Sequence, residues 1–224
     1  MKKINKNRVD VLVDFDLPDV GSKHRMSYAM LGSGDIIVES SLILGEQSVH
    51  ELMRFGMKMR LPKQFEKMEY FGRGPHDNYW DRKTASLVGI YKSTVREQYT
   101  PYISPQENGN KTDVRWATFR NENGTGLMAI GMPLLSMSAL HYSIEDLSQE
   151  KRGTKHDIDL QEQDFVALNL DYKQTGVGGD NSWGARTHKK YTLLPKNYSY
   201  KFRLRPIDSY DNPGQLSQQR YELD

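Results

Sequence analysis

The chain has no cysteine among its 224 residues, which excludes disulfides, thiolate metal ligands and a cysteine nucleophile. It has no apolar run approaching the roughly 20 residues that cross a bilayer. Its first residues, Met1-Lys2-Lys3-Ile4-Asn5, lead into no signal-peptide core. An excess of one charge is also missing. Lys plus Arg number 31 against 29 Asp plus Glu, a formal +2. A general polyanion binder depends on a basic face, so neither nucleic acid nor a membrane is an expected partner. Histidine is sparse, and His24, His50, His76, His141, His156 and His188 form no H-x-x-x-H or other close pair. Any metal site would have to be assembled by the fold. The hydroxyl residues form no G-x-S-x-G elbow either.

What is present is alternation. Apolar residues make up 37% of the chain, enough for one core in a unit with a radius of gyration of roughly 17 Å. Val9, Val11, Val13 and Phe15 fall on one side of a period-two pattern, as a half-buried strand requires. His24 to Leu31 and Asp35 to Leu44 read as two further strands. Gly32-Ser33-Gly34 supplies the tight hairpin between them. Glu51 to Leu61, Thr112 to Arg120, Leu127 to Met132, Phe165 to Tyr172, Thr187 to Leu194 and Tyr198 to Arg205 are strand-like too. Helical signals are few, but Ser143-Ile144-Glu145-Asp146-Leu147 carries a capping box. The chain shows no repeat and no low-complexity linker. The expected fold is an all-β antiparallel sandwich over 1–207, followed by a mobile polar tail over 208–224.

Three segments interrupt the alternation: Phe71 to Arg82, Tyr99 to Gly109, and Gly176 to Gly184. Each combines Gly or Pro with aromatics and amides, the composition of loops that present side chains from a rigid scaffold. Gly72-Arg73-Gly74 is not a phosphate loop, because Asp77 stands where a third glycine belongs. Glycoside hydrolysis needs two carboxylates. Glu107 and Asp180 are candidates that the fold would have to bring together. Both also have structural readings, Glu107 as an acceptor of loop N–H groups and Asp180 as a turn residue. Trp183 follows a glycine-rich run. It offers either a flat face for the C–H groups of a pyranose or a plug for the end of the core, and spacing leaves both open. Trp80 and Trp116 read as core residues.

Taken together, the three segments resemble the C-terminal domain of glycoside hydrolase family 2 β-galactosidases, the bacterial lactase type. Phe71 to Arg82 is similar to that family's G-x-G-P-x-E-N-Y-x-D-R, Tyr99 to Gly109 to its Y-x-x-P-Y-x-x-P-x-E-N-G, and Gly176 to Trp183 to its G-x-G-G-D-D-S-W. The resemblance extends from about Arg8 to Arg205 and departs from the pattern at Asp77, commonly Glu, and at Asn181, commonly Asp. It implies a supersandwich like that of galactose mutarotases, lacking its first strands. It implies no catalytic residue in this chain, because the two glutamates of the family lie in a barrel domain. It further implies that Trp183 lines the glucose or acceptor subsite, with Asp180 and Asn181 holding its loop. Glu107, Asn108, Asp77 and Asn78 become loop-structural residues. No cofactor is expected in this domain, since the family's Mg and Na ions belong to other domains. The expected partners are the barrel and other domains of the same polypeptide, together with galactoside or glucose.

The family domain begins some strands before Met1, so an uncovered sheet edge is expected. Such an edge would lead to self-association or to a locally borrowed strand. The compartment, cytoplasm or periplasm, stays open. Two other functions compete. One is a free-standing carbohydrate-binding module. The other is an aldose 1-epimerase working through an acid/base pair, for which His141 and Glu107 are the candidates.

Overall fold

The computed structural model describes residues 1–46, 50–149, 153–181 and 183–221. In chain order the elements are β1 (Lys2–Asn5), β2 (Arg8–Leu17), β3 (Ser22–Leu31), β4 (Ile36–Ile43), β5 (Arg54–Pro62), β6 (Lys67–Gly74), β7 (Leu87–Thr94), β8 (Lys111–Arg120), β9 (Gly126–Leu140), α1 (Ile144–Leu147), β10 (Phe165–Gln174), β11 (Tyr198–Ile207) and α2 (Pro213–Gln218). The strands hydrogen-bond in the order β1-β2-β3-β4-β11-β9-β8-β6-β7, and β10 joins β9 to β5. All pairings are antiparallel. The fold is thus the all-β antiparallel sandwich that the alternation predicts.

β9 holds the layers together. Its first half pairs with β11, Ser136 to Leu140 pair with β10, and β8 pairs with both halves, reaching Met137 through Lys111. Between the halves the strand bends so sharply that a Cβ on Gly131 would lie 2.8 Å from the Leu134 Cα, so only glycine fits there. The core fills the space between the layers. Val38 from β4, Phe202 from β11, Met137 from β9, and Val166, Leu168 and Leu170 from β10 are all fully buried. Each contributes about 1.5–3 kcal/mol by leaving water.

The predicted hairpin holds: β3 and β4 pair from Lys23↔Ile43 to Met30↔Ile36, with Gly34 at φ 87°. The capping box also forms, the Asp146 N–H donating to Ser143 Oγ at 3.1 Å and the Ser143 N–H to Asp146 Oδ2 at 2.7 Å. Three expectations are corrected. β1, β6 and β7 are strands that the alternation did not single out. Thr187 to Leu194 is not a strand, because a 3-10 turn at Lys189–Tyr191 closes it. Residues 208–221 are not a free appendage. α2 buries Leu216 against Trp116, Met128, Ile130 and Ile207. Asp35 is wholly buried between β3 and β4. It accepts hydrogen bonds from Arg203 at 3.1 Å, Arg205 at 2.7 Å and the Tyr221 hydroxyl at 2.7 Å. Arg203 also donates to the Leu216 carbonyl at 2.6 Å, which ties the tail to the sheet.

Candidate functional site

The three irregular segments are bonded to one another, with Phe71 to Arg82 in the middle. Asn78 is completely buried and uses its whole amide. Its Nδ2 donates to the Arg73 and His76 carbonyls, both at 3.0 Å. Its Oδ1 accepts from the Thr112 N–H at 2.9 Å and hydroxyl at 2.5 Å. Asn108 does the same for the second segment, pairing with the Thr100 N–H at 2.9 Å and carbonyl at 2.7 Å as a neighbouring strand would. Asp77 links the two segments by accepting from the Tyr102 hydroxyl at 2.8 Å, with Arg82 at 3.5 Å.

The third segment rests on the first through Asp81, whose Oδ2 accepts the Gly178 N–H at 2.9 Å. A Cβ on Gly176 would stand 2.6 Å from the Asp81 Cγ, and one on Gly179 would stand 2.1 Å from the Ala185 carbonyl oxygen. Gly179 is therefore required by the approach of backbone, and Gly176 leaves the Asp81 carboxylate its room. Asn181 Oδ1 accepts the Trp183 N–H at 2.8 Å, and Asp180 pairs with His188 at 2.7 Å. Ser182 lies outside the described residues. A cavity of about 330 Å3 opens here, lined by Asp81, Arg82, Asp180, His188 and Tyr191 among others. The Trp183 side chain is not a core plug, because the residue is 93% exposed. The other two tryptophans are inward. Trp116 is buried, and half-buried Trp80 meets the Tyr191 ring edge-on at 5.8 Å, with the Lys173 ammonium 4.6 Å from its ring.

Glu107 belongs to a different cluster. It accepts from Arg54 at 2.7 Å rather than from loop N–H groups. Arg54 also donates to Gln174 and sits 3.2 Å from Asp171 Oδ2. That oxygen still lacks a well-aligned hydrogen bond, so the contact with Arg54 lies off the donor axis. Burial pushes the Asp171 carboxyl up to about 7, with Arg54 opposing and Glu107 reinforcing the rise. A Cβ on Gly56 would fall 1.8 Å from Asp171 Oδ1, so this glycine makes room for the carboxylate. Glu107 lines a separate cavity of about 150 Å3. The two candidate carboxylates therefore open into different cavities. The epimerase pair is not assembled: His141 Nδ1 meets the Phe165 carbonyl at 3.0 Å and Nε2 meets Glu66 at 2.6 Å, while Glu107 faces Arg54. Among the described residues no group of three or more His, Asp or Glu side chains is placed to hold a metal ion.

The family model of the β-galactosidase small chain matches residues 1–204. The chain belongs to that family. It is 42% identical over 183 residues to a β-galactosidase of Priestia megaterium, covering 81% of this chain and 17% of that protein. It is 34% identical to a β-galactosidase of Pseudoalteromonas haloplanktis over 79% of this chain and 16% of the relative. The chain thus spans about a sixth of the length of the relatives it matches. Among solved structures, a galactose 1-epimerase from Lactobacillus acidophilus NCFM aligns with 93% of this chain and 65% of its own, at 8% identity and a TM-score of 0.48.

At the positions where this small chain departs from the resembled motifs, the geometry is self-consistent. The shorter Asp77 still reaches Tyr102, and the uncharged Asn181 accepts the Trp183 N–H. Asp81, Arg82, His188 and Tyr191 surround the Trp loop without having been singled out by sequence. Asp81 and Arg82 were legible as members of the first motif. His188 and Tyr191 gave no signal, because a loop that returns across a cavity has no fixed period.

Proposed function

We propose that this chain is the non-catalytic C-terminal domain of a β-galactosidase, in which the carboxylates that cleave the galactoside belong to a barrel on the same polypeptide. The Gly176–Gly184 loop offers Trp183 as a stacking surface for the glucose or acceptor sugar. The observation that carries this reading is a tryptophan 93% exposed at the tip of a loop anchored by Asp81, Asn181 and the Asp180–His188 pair. Exposing so large an apolar side chain on a tethered loop gives up burial free energy, and a ligand or neighbouring module that covers the ring recovers it. Asp180 and Asn181 act by shaping the loop. This domain has no cofactor of its own, and the Mg and Na ions of the enzyme sit in other domains.

The test is Trp183→Ala in the full-length enzyme. Loss of stacking, about 1 kcal/mol, is expected to weaken glucose inhibition about fivefold and to lower transglycosylation relative to hydrolysis. The isolated domain should keep its stability within about 0.5 kcal/mol, as for an exposed position. Unchanged glucose inhibition and transglycosylation would remove the role of Trp183. Hydrolysis of a nitrophenyl galactoside by the isolated chain would overturn the non-catalytic assignment.

A further inference from the structure

A second groove, of about 590 Å3, lies beside β6 and β7, and none of its lining residues belongs to the Trp183 loop. On its floor is Lys111, only 1% exposed. Its ammonium donates to the Gly109 carbonyl at 3.2 Å, its one acceptor among the described residues, so a lysine's other two N–H groups are left without a protein acceptor. Burial draws this amine down to about 8, with Asp77 opposing. Asp77 also lines the groove. Its Oδ2 takes the Tyr102 hydroxyl and Arg82, whereas its Oδ1 accepts no hydrogen bond among the described residues.

One wall is aromatic: Tyr70 and Tyr91 stack with centroids 5.4 Å apart. A Cβ on Gly74 would lie 2.1 Å from the Tyr70 hydroxyl and 2.9 Å from the Tyr91 ring. The second glycine of the Gly72-Arg73-Gly74 run is therefore what admits this wall. Lys92 and Glu97 complete the lining charges. Two cations and two anions balance, so the groove selects for neither ionic class.

We propose that this groove is a second carbohydrate site, one that takes a neutral monosaccharide unit independently of Trp183. Sugar hydroxyls both donate and accept, which matches the unused N–H groups of Lys111 and the unused oxygen of Asp77. The C–H face of the ring suits the Tyr91 wall, and the volume falls within the usual range for small-ligand sites.

The experiment is an amide chemical-shift titration of this chain with methyl β-D-galactoside and with D-glucose, and separately with inorganic phosphate. One of the sugars is expected to shift His76, Asp77, Tyr91 and Gly109 with saturation in the millimolar range. Trp183→Ala should leave that affinity unchanged, Tyr91→Ala should weaken it about fivefold through lost stacking, and Lys111→Met should abolish it. Tyr91 is half-buried, so its variant decides the matter even where Lys111→Met fails to fold. Shifts confined to Gly176–Gly184, no shifts at all, or a response to phosphate in place of sugar would overturn the second site. Those outcomes leave the Trp183 reading to its own test.

Discussion

Asp171 shows how a single buried acid sets a pH dependence. Its folded pKa, raised to about 7 by burial, lies above the unfolded value of about 4. The folded chain therefore holds a proton that the unfolded chain has released, and stability falls as pH rises from about 4 to about 7. Asp171→Asn should lack that downward slope, so the stability difference between parent and variant in denaturant melts should itself fall across this window. An unaltered slope would mean that the carboxyl ionises normally in the fold. Residues of this kind are not legible in a sequence. Asp171 sits in a strand that reads simply as apolar alternation, and its partner Arg54 is 117 positions away by their numbering, so burial and pairing are both products of the tertiary fold.

Among the elements, the loop of Phe71 to Arg82 stands on Asn78. Replacing Asn78 by Ala removes four hydrogen bonds, taking from the buried Thr112 its N–H and hydroxyl partner and from the Arg73 and His76 carbonyls their shared donor. The expected loss is about 2–4 kcal/mol of stability, measured by urea denaturation, and a loss below 0.5 kcal/mol would show that water substitutes for the amide. Sequence patterning located the strands with clean period-two runs and glycine turns, β2 to β4 above all, together with the capped α1. It missed β6 because Gly72 and Gly74 read as loop residues, although Met68, Tyr70, Gly72 and Gly74 all point inward. β7 escaped for the opposite reason. As an edge strand it leaves Leu87, Val88 and Ile90 exposed, so it has no continuous buried side to reveal it. The alternation of Thr187 to Leu194 was real, but contacts of the returning loop, such as Thr187 with the Gly176 carbonyl at 2.8 Å, override a local preference. The three loop motifs were legible as motifs. Their mutual bonding, and the separation of Glu107 from Asp180, were not.

Over the whole molecule, the termini of the sandwich are joined by charge. Asp35, between two early strands, holds Arg203 and Arg205 of the last strand and Tyr221 of the tail. Asp35→Ala leaves Arg203, itself buried, without its counter-ion, and the expected cost is about 3–5 kcal/mol. The same variant should become sensitive to limited proteolysis after Ile207, because the tail loses the Tyr221 contact. A variant that keeps both wild-type stability and wild-type resistance would show that the apolar seat of Leu216 alone retains the tail.

β9 also carries a consequence for how the protein comes apart. A strand shared between two layers resists the melting of one while the other stays formed, since β8 pairs with both halves of β9 and opening either half loosens the strand that holds the other. Native-state hydrogen exchange should therefore report a single protection free energy for Ala129 in the first half and Met137 in the second, equal to the global value. The sandwich would unfold as one cooperative body, with no half surviving on its own.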